Sequence, residues 1–139
     1  MLLAEAMHRE SRYAVLPFAP EKLRALMAHL IDSPSGFLQV ACSGGEIVGF
    51  MAAFVAEHFA SSAKIAGDYG LFIGKDHRGG GSAARLLKAF KAWAEAQGAV
   101  LLHAGISTGV AMESTTKFYQ SMGFKQVGVV FELGSQVCA

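Results

Sequence analysis

The chain has 139 residues, a net charge of +1 and a 53% apolar composition, with 17% of residues charged. That length predicts one domain spanning residues 1–139 with a sizeable buried core, and the composition excludes a disordered chain. A balance so near neutral offers no electrostatic footprint for nucleic acid, and the longest apolar run, Ile47 to Ala56, is too short to cross a bilayer.

In chain order, residues 2–11 read as a helix, Tyr13 to Phe18 as extended backbone, and Pro20 to about Ile31 as a second helix. Asp32-Ser33-Pro34-Ser35-Gly36 is a loop. Phe37–Cys42 and Glu46–Val55 read as a hairpin around Ser43-Gly44-Gly45. Residues 57–65 form a connection into a short apolar strand, Tyr69 to Ile73. The turn His77-Arg78-Gly79-Gly80-Gly81-Ser82-Ala83 then leads into a helix from Ala84 to Gln97, which Gly98 stops. Ala83, Leu86, Leu87, Phe90 and Ala94 form one apolar stripe along it, with Arg85, Lys88, Lys91 and Glu95 off the stripe. Beyond it come a strand from Ala99 to Ile106, a helix from about Ala111 to Met122, and final strands at Phe124–Val130 and Phe131–Leu133, with a loose tail from Gly134.

Met1-Leu2-Leu3 runs at once into Glu5, His8, Arg9 and Glu10, which is not a secretory leader. Cys42 and Cys138 make no disulfide framework and fit a reducing, cytoplasmic setting. The five histidines (8, 29, 58, 77 and 103) show no metal-ligand spacing, so no metal is expected.

The glycine turn carries the chemistry. Glycines opening directly into a helix leave backbone N–H groups unpaired at the positive end of the helix dipole, a ready site for phosphate. A Walker A loop is excluded because no lysine follows the glycines; the nearest, Lys75, precedes them. Gly79, Gly81 and Ala84 fit a dinucleotide fingerprint only loosely, and no acidic strand end follows at the required distance.

Arg78-x-x-Gly81-x-Ala83 and, further on, Phe118-Tyr119-x-x-x-Gly123-Phe124 resemble the pyrophosphate turn and the tyrosine helix of the GNAT superfamily of N-acyltransferases. The order of elements over residues 36 to 133 is also similar, and the chain loosely resembles small GNAT proteins of phages and their bacterial hosts. The resemblance implies an α/β fold. Its sheet is mixed, mostly antiparallel, with helices on both faces and strands splayed where acyl-coenzyme A inserts. A family chain begins with a strand, whereas this one starts inside what reads as the first helix.

The resemblance further implies acetyl-coenzyme A as co-substrate and an amine as acceptor. Leu71, Phe72 and Ile73 would line the thioester and the pantetheine arm, with Leu71 and Phe72 as backbone donors. Arg78, Gly79, Gly80, Gly81, Ser82 and Ala83 would form the pyrophosphate cradle, with Arg78 facing either phosphate or solvent. Tyr119 would protonate the departing thiolate, as a phenol with a pKa of ~10 facing a thiol of ~8.5 can do. Met112 and Thr115 depart from the Asn and Ala the family often carries there.

The base is open among Asp68, Glu57, His58, Glu10 and solvent. The family's acidic position falls on Tyr69, so Asp68 takes that place only if a bulge turns it to the right face. Exposed sheet edges and the apolar balance suggest a homodimer. An acyl-coenzyme A-binding module without turnover is the alternative to an enzyme.

Overall fold

The computed structural model describes residues 1–106, 109 and 111–134. Two helices come first, α1 (Leu2–Glu10) and α2 (Pro20–Asp32), joined by a 3-10 turn at Arg12–Val15. This turn stands where the sequence suggested extended backbone. Its cause is Ser11, whose hydroxyl donates to the His8 carbonyl at 2.9 Å and accepts the Tyr13 N–H at 3.1 Å. One side chain therefore ends α1 and starts the next turn.

Strands β1 (Gly36–Ser43), β2 (Glu46–Glu57) and β3 (Lys64–Ile73) follow, then helix α3 (Ser82–Ala96), strand β4 (Ala99–Leu102) and helix α4 (Met112–Ser121). The sheet order is β1-β2-β3-β4, with β1/β2 and β2/β3 antiparallel and β3/β4 parallel. Gly44 and Gly45 make the β1/β2 turn with φ of 58° and 82°, the left-handed pair that matches the twist of a tight hairpin. The β2/β3 ladder runs out to Glu57↔Lys64. The connection expected over 57–65 is thus shorter, and the strand expected at Tyr69–Ile73 starts earlier.

The sheet separates two apolar layers. Met51, Ala53 and Val55 of β2 pack with Leu86, Leu87, Phe90 and Ala94 of α3, so the stripe read from the sequence is the buried face. Each such leucine or phenylalanine contributes about 1.5–3 kcal/mol. On the opposite face Phe50 and Phe72 pack against Ala4, Leu3 and Met7 of α1 and Leu23 and Met27 of α2.

β3 changes phase midway. Ala52 pairs with Gly70 and Ala53 with Asp68, so Tyr69 is an extra residue in the ladder. As a result Ala66 and Ile73, an odd number of residues apart, both face the α3 layer. The parallel ladder to β4 ends at Ala66↔Leu102, with a last bond from the His103 N–H to the Ala66 carbonyl at 2.8 Å. From there to Ile73, among the described residues, no strand pairs with β3 on that side, which is the expected splay.

The final strands expected at Phe124–Val130 and Phe131–Leu133 are not in the sheet. Among the described residues, 125–134 take part in no backbone hydrogen bond. Cys138 lies outside the described residues.

Candidate active site

The turn between β3 and α3 is built as the glycines require. Gly79 and Gly81 have φ of 87° and 85°, left-handed values that glycine adopts at no steric cost. Gly81 stands at the N-cap of α3 with no side-chain cap. The Arg85 N–H bonds the Gly81 carbonyl at 3.1 Å, which leaves the N–H groups of Ser82, Ala83 and Ala84 without partners inside the helix. The Ser82 hydroxyl accepts from the Arg85 guanidinium at 3.1 Å, so it does not cap the helix. Arg85 thereby holds a positive charge beside the turn. In the sequence it stands merely off the apolar stripe, and its place four residues after Gly81 is the signal available there.

Arg78 faces neither solvent alone nor a free anion site. Its Nε donates to the Ile73 carbonyl at 2.8 Å, its Nη2 donates to the Glu10 carboxylate at 2.9 Å, and its guanidinium lies 5.2 Å from the Phe72 ring centre. It pins the glycine turn to the end of β3 and to α1.

The open edge of β3 supplies donors in alternation. The Gly74 N–H bonds the Val48 carbonyl at 2.8 Å, so Gly74 and, two residues earlier, Phe72 turn their backbone groups to β2. Ile73 turns its carbonyl away from β2, toward Arg78. The N–H groups of Leu71 and Ile73 therefore face the open side. The Phe72 N–H is not a cleft donor, a correction to the sequence expectation that follows from the period of the strand.

A cleft of about 640 Å³ runs along this edge, a usual size for a small-molecule site. Leu71, Phe72, Ile73, Arg78, Gly79, Gly81, Ser82 and Ala83 line it, and Gly80 does not. Asp68 and Tyr119 line its other end. The bulge at Tyr69 is the one that Asp68 needed to share a face with Leu71 and Ile73. The Asp68 carboxylate accepts the Gly105 N–H at 3.1 Å, and the Tyr119 hydroxyl points at the Gly105 carbonyl at 3.5 Å. Where the β3/β4 ladder stops, one residue of the diverging chain, Gly105, thus bridges the two groups through its N–H and its carbonyl.

Their environments push both toward the protonated state. Burial raises the Asp68 pKa from 3.8 to about 6, against the opposing pull of the Gly105 hydrogen bond. Burial, and then the charge on Asp68, lift the Tyr119 phenol well above its ordinary value. A carboxylate that accepts a proton near neutral pH lies beside a phenol that keeps its own.

The other base candidates lie elsewhere. Glu10 is engaged by Arg78. His58 accepts the Ala60 N–H at 3.1 Å and stacks on Phe59, and neither it nor Glu57 lines the cleft. Thr115 does line the cleft, whereas Met112 is exposed outside it.

The family comparison agrees with this architecture. The model of the Acetyltransferase (GNAT) family matches residues 3–124, and the chain belongs to that family. It is 34% identical over 104 residues to N-acetyltransferase 8 of Rattus norvegicus, covering 75% of this chain and 46% of the relative. It is 32% identical over 114 residues to N-acetyltransferase family 8 member 2 of the same species, covering 78% and 50%. The chain thus spans about half the length of these curated relatives.

Among solved structures, an aminoglycoside acetyltransferase, meta-AAC0020 from an uncultured soil metagenomic sample in complex with sisomicin, superposes with a TM-score of 0.71 at 18% identity, covering 97% of this chain and 85% of that one. A putative acetyl transferase from Pyrococcus furiosus superposes with 0.68 at 22% identity, covering 94% and 90%. At such identities the likeness concerns the fold.

Proposed function

We propose that this chain is an N-acyltransferase that moves an acetyl group from acetyl-coenzyme A directly to a primary amine, on a small molecule or a protein. The observation that carries this reading is the bulge at Tyr69, which puts Asp68 and Tyr119 at one end of a cleft whose other end is the uncapped glycine turn. The residues present fit the co-substrate. The free N–H groups of Ser82, Ala83 and Ala84, with Arg85 beside them, suit a pyrophosphate. The N–H groups of Leu71 and Ile73 suit the carbonyl and amide oxygens of a thioester arm.

The proposed chemistry needs little else. Asp68, directly or through water, accepts the proton of the ammonium, so that the neutral nitrogen forms the new C–N bond. A backbone donor of β3 stabilises the carbonyl oxygen as it gains charge. As the C–S bond breaks, Tyr119 gives its proton to the sulfur; the acylated nitrogen releases its extra proton to water, and exchange with solvent restores the Tyr119 hydroxyl and the Asp68 carboxylate. Asp68 is the single carboxylate lining the cleft among the described residues. That favours acceptors with one ammonium near the reacting atom over polycations such as the sisomicin of the soil acetyltransferase.

The reading includes one domain over the whole chain, a homodimer, a cytoplasmic setting, and neither metal, nucleic-acid nor membrane partner. Among the described residues no helix is long and apolar enough to cross a membrane. A second reading, an acyl-coenzyme A-binding module without turnover, draws on the Tyr119 hydroxyl being directed at a backbone carbonyl.

The test is thermal unfolding with millimolar acetyl-coenzyme A, which raises the melting temperature by mass action. Gly81→Glu, placing bulk and negative charge at the phosphate position, abolishes the rise. A wild-type melting temperature that does not move overturns both readings. A rise without thiol release across a broad amine panel selects the binding module.

A further inference from the structure

The bulge in β3 turns two consecutive side chains to one face. Ala53 packs with α3, so its partner Asp68 faces that layer. Gly70, the partner of Ala52, faces α1, and Met7 lies 3.3 Å from where its side chain would begin. Tyr69 turns the same way as Gly70. Its ring centre is 5.1 Å from that of Phe54, which follows Phe50 on the α1 face of β2. The strand period forbids such a pair of neighbours without a bulge.

Met7, Tyr69, Gly70 and Phe72, all on the α1 side, line the cleft. Phe72 is buried, whereas Tyr69 is 51% exposed. The Phe54 ring backs it by packing over Gly67, 2.9 Å from where a side chain there would begin. Among the described residues, the Asp, Glu, Lys, Arg and His side chains lining the cleft are Asp68, His77 and Arg78. The last two lie beyond Ile73 at the glycine turn, and Arg78 is paired with Glu10. The co-substrate proposed above runs from that turn to Tyr119, which leaves the α1 side to the acceptor. An ammonium that reaches Asp68 from this side meets one counter-charge, and the body attached to it meets a largely apolar surface.

We infer that the acceptor is an arylalkylamine, its ring resting on Tyr69 and Met7 and a short alkyl tether carrying its ammonium across the edge of β3 to Asp68. Aromatic rings pair in offset or edge-on contact, and a thioether against a ring adds to it. A polyamine or aminoglycoside would set its further ammonium groups on uncharged surface, which is unfavourable. The inference rests on the acyl-transfer reading for its reaction and on the cleft alone for its ligand.

The experiment has two arms. In the first, thiol release from acetyl-coenzyme A is followed with phenethylamine, ethylamine and spermidine. Phenethylamine should exceed both in kcat/KM by about 10-fold or more, as burial of one ring allows. Tyr69→Ala should lower the ratio of phenethylamine to ethylamine by about 10-fold, and Tyr69→Phe should hold it within about twofold. Spermidine or ethylamine matching phenethylamine overturns the inference and leaves acyl transfer standing, as does a ratio that Tyr69→Ala does not move or that Tyr69→Phe lowers equally. In the second arm, phenethylamine is titrated by calorimetry into the protein with coenzyme A. Binding that weakens about 10-fold in Tyr69→Ala supports the ligand site even where no amine releases thiol, and then acyl transfer alone fails. Neither binding nor turnover with phenethylamine overturns the inference. If Tyr69→Ala fails to fold, Tyr69→Thr, a good strand residue at this half-exposed position, takes its place.

Discussion

β3 is one strand with two lives. Its first half, Lys64 to Ala66, lies between β2 and β4 and spends its backbone groups on both. Its second half, Asp68 to Ile73, keeps β2 on one side and has a cleft on the other. The residue types hardly distinguish the halves. What differs is that β4 diverges after Leu102, and a side chain, Asp68, takes the Gly105 N–H that a ladder carbonyl would otherwise receive. The comparison teaches that function here comes from withheld pairing: the open half has donors, a carboxylate and a phenol available because a neighbouring strand has left. Substitutions in the open half should then act on rate and those in the closed half on stability.

The largest effect is expected from Asp68→Asn. The amide keeps an acceptor for the Gly105 N–H but takes no proton, so kcat/KM should fall by about 10²–10³. In the wild type kcat/KM should drop as pH falls through about 6, and the variant should lack that limb. Stability should move the other way. The folded pKa lies above the unfolded value, so the folded state binds more protons between about 4 and 6, and the wild type loses stability as pH rises across that window. The loss is on the order of 2–3 kcal/mol. The variant should therefore melt higher than the wild type at pH 8 and level with it near pH 4. A full rate, or an equal melting temperature at both pH values, would take Asp68 out of the site.

Next in size is Tyr119→Phe. The ring stays packed against Phe118 and Phe124, with ring centres 5.6 and 5.8 Å away, so acetyl-coenzyme A affinity should hold. Turnover should fall by about 10²-fold, the range for one positioned general acid, and the deficit should shrink at low pH as solvent protons reach the sulfur. An unchanged rate with a good amine would mean that another group protonates the thiolate.

Much of this contrast was legible in the sequence, because its signals are local. Three adjacent glycines before the stripe Leu86, Leu87, Phe90 and Ala94 announce an uncapped helix start, and Gly44-Gly45 announces a hairpin. A glycine inside a strand is a local sign of a bulge or a close approach, and at Gly70 both occur: the extra residue is Tyr69, and Met7 of α1 lies 3.3 Å from where a Gly70 side chain would begin. The rest depends on residues distant in the chain. Arg78 meets Glu10 only because α1 packs beside the end of β3. The phase of Phe72 is set by which edge β2 occupies. Residues 124–133 carry a strand pattern, but a pattern names a face to bury and not the partner that buries it.

The smallest effect tests the closed half. Ala66 is fully buried against α3, and its carbonyl takes the last β4 bond, from His103. Ala66→Val adds two methyl groups where no space is left, and overpacking of this kind costs about 1–3 kcal/mol. The melting temperature should fall accordingly. The KM for acetyl-coenzyme A should stay within about twofold, because the glycine turn follows the other end of β3 and effects at distant sites add independently. If Ala66→Val instead raised that KM tenfold or more while leaving stability intact, the two halves of β3 would be one mechanical unit, and withheld pairing would not be what separates them.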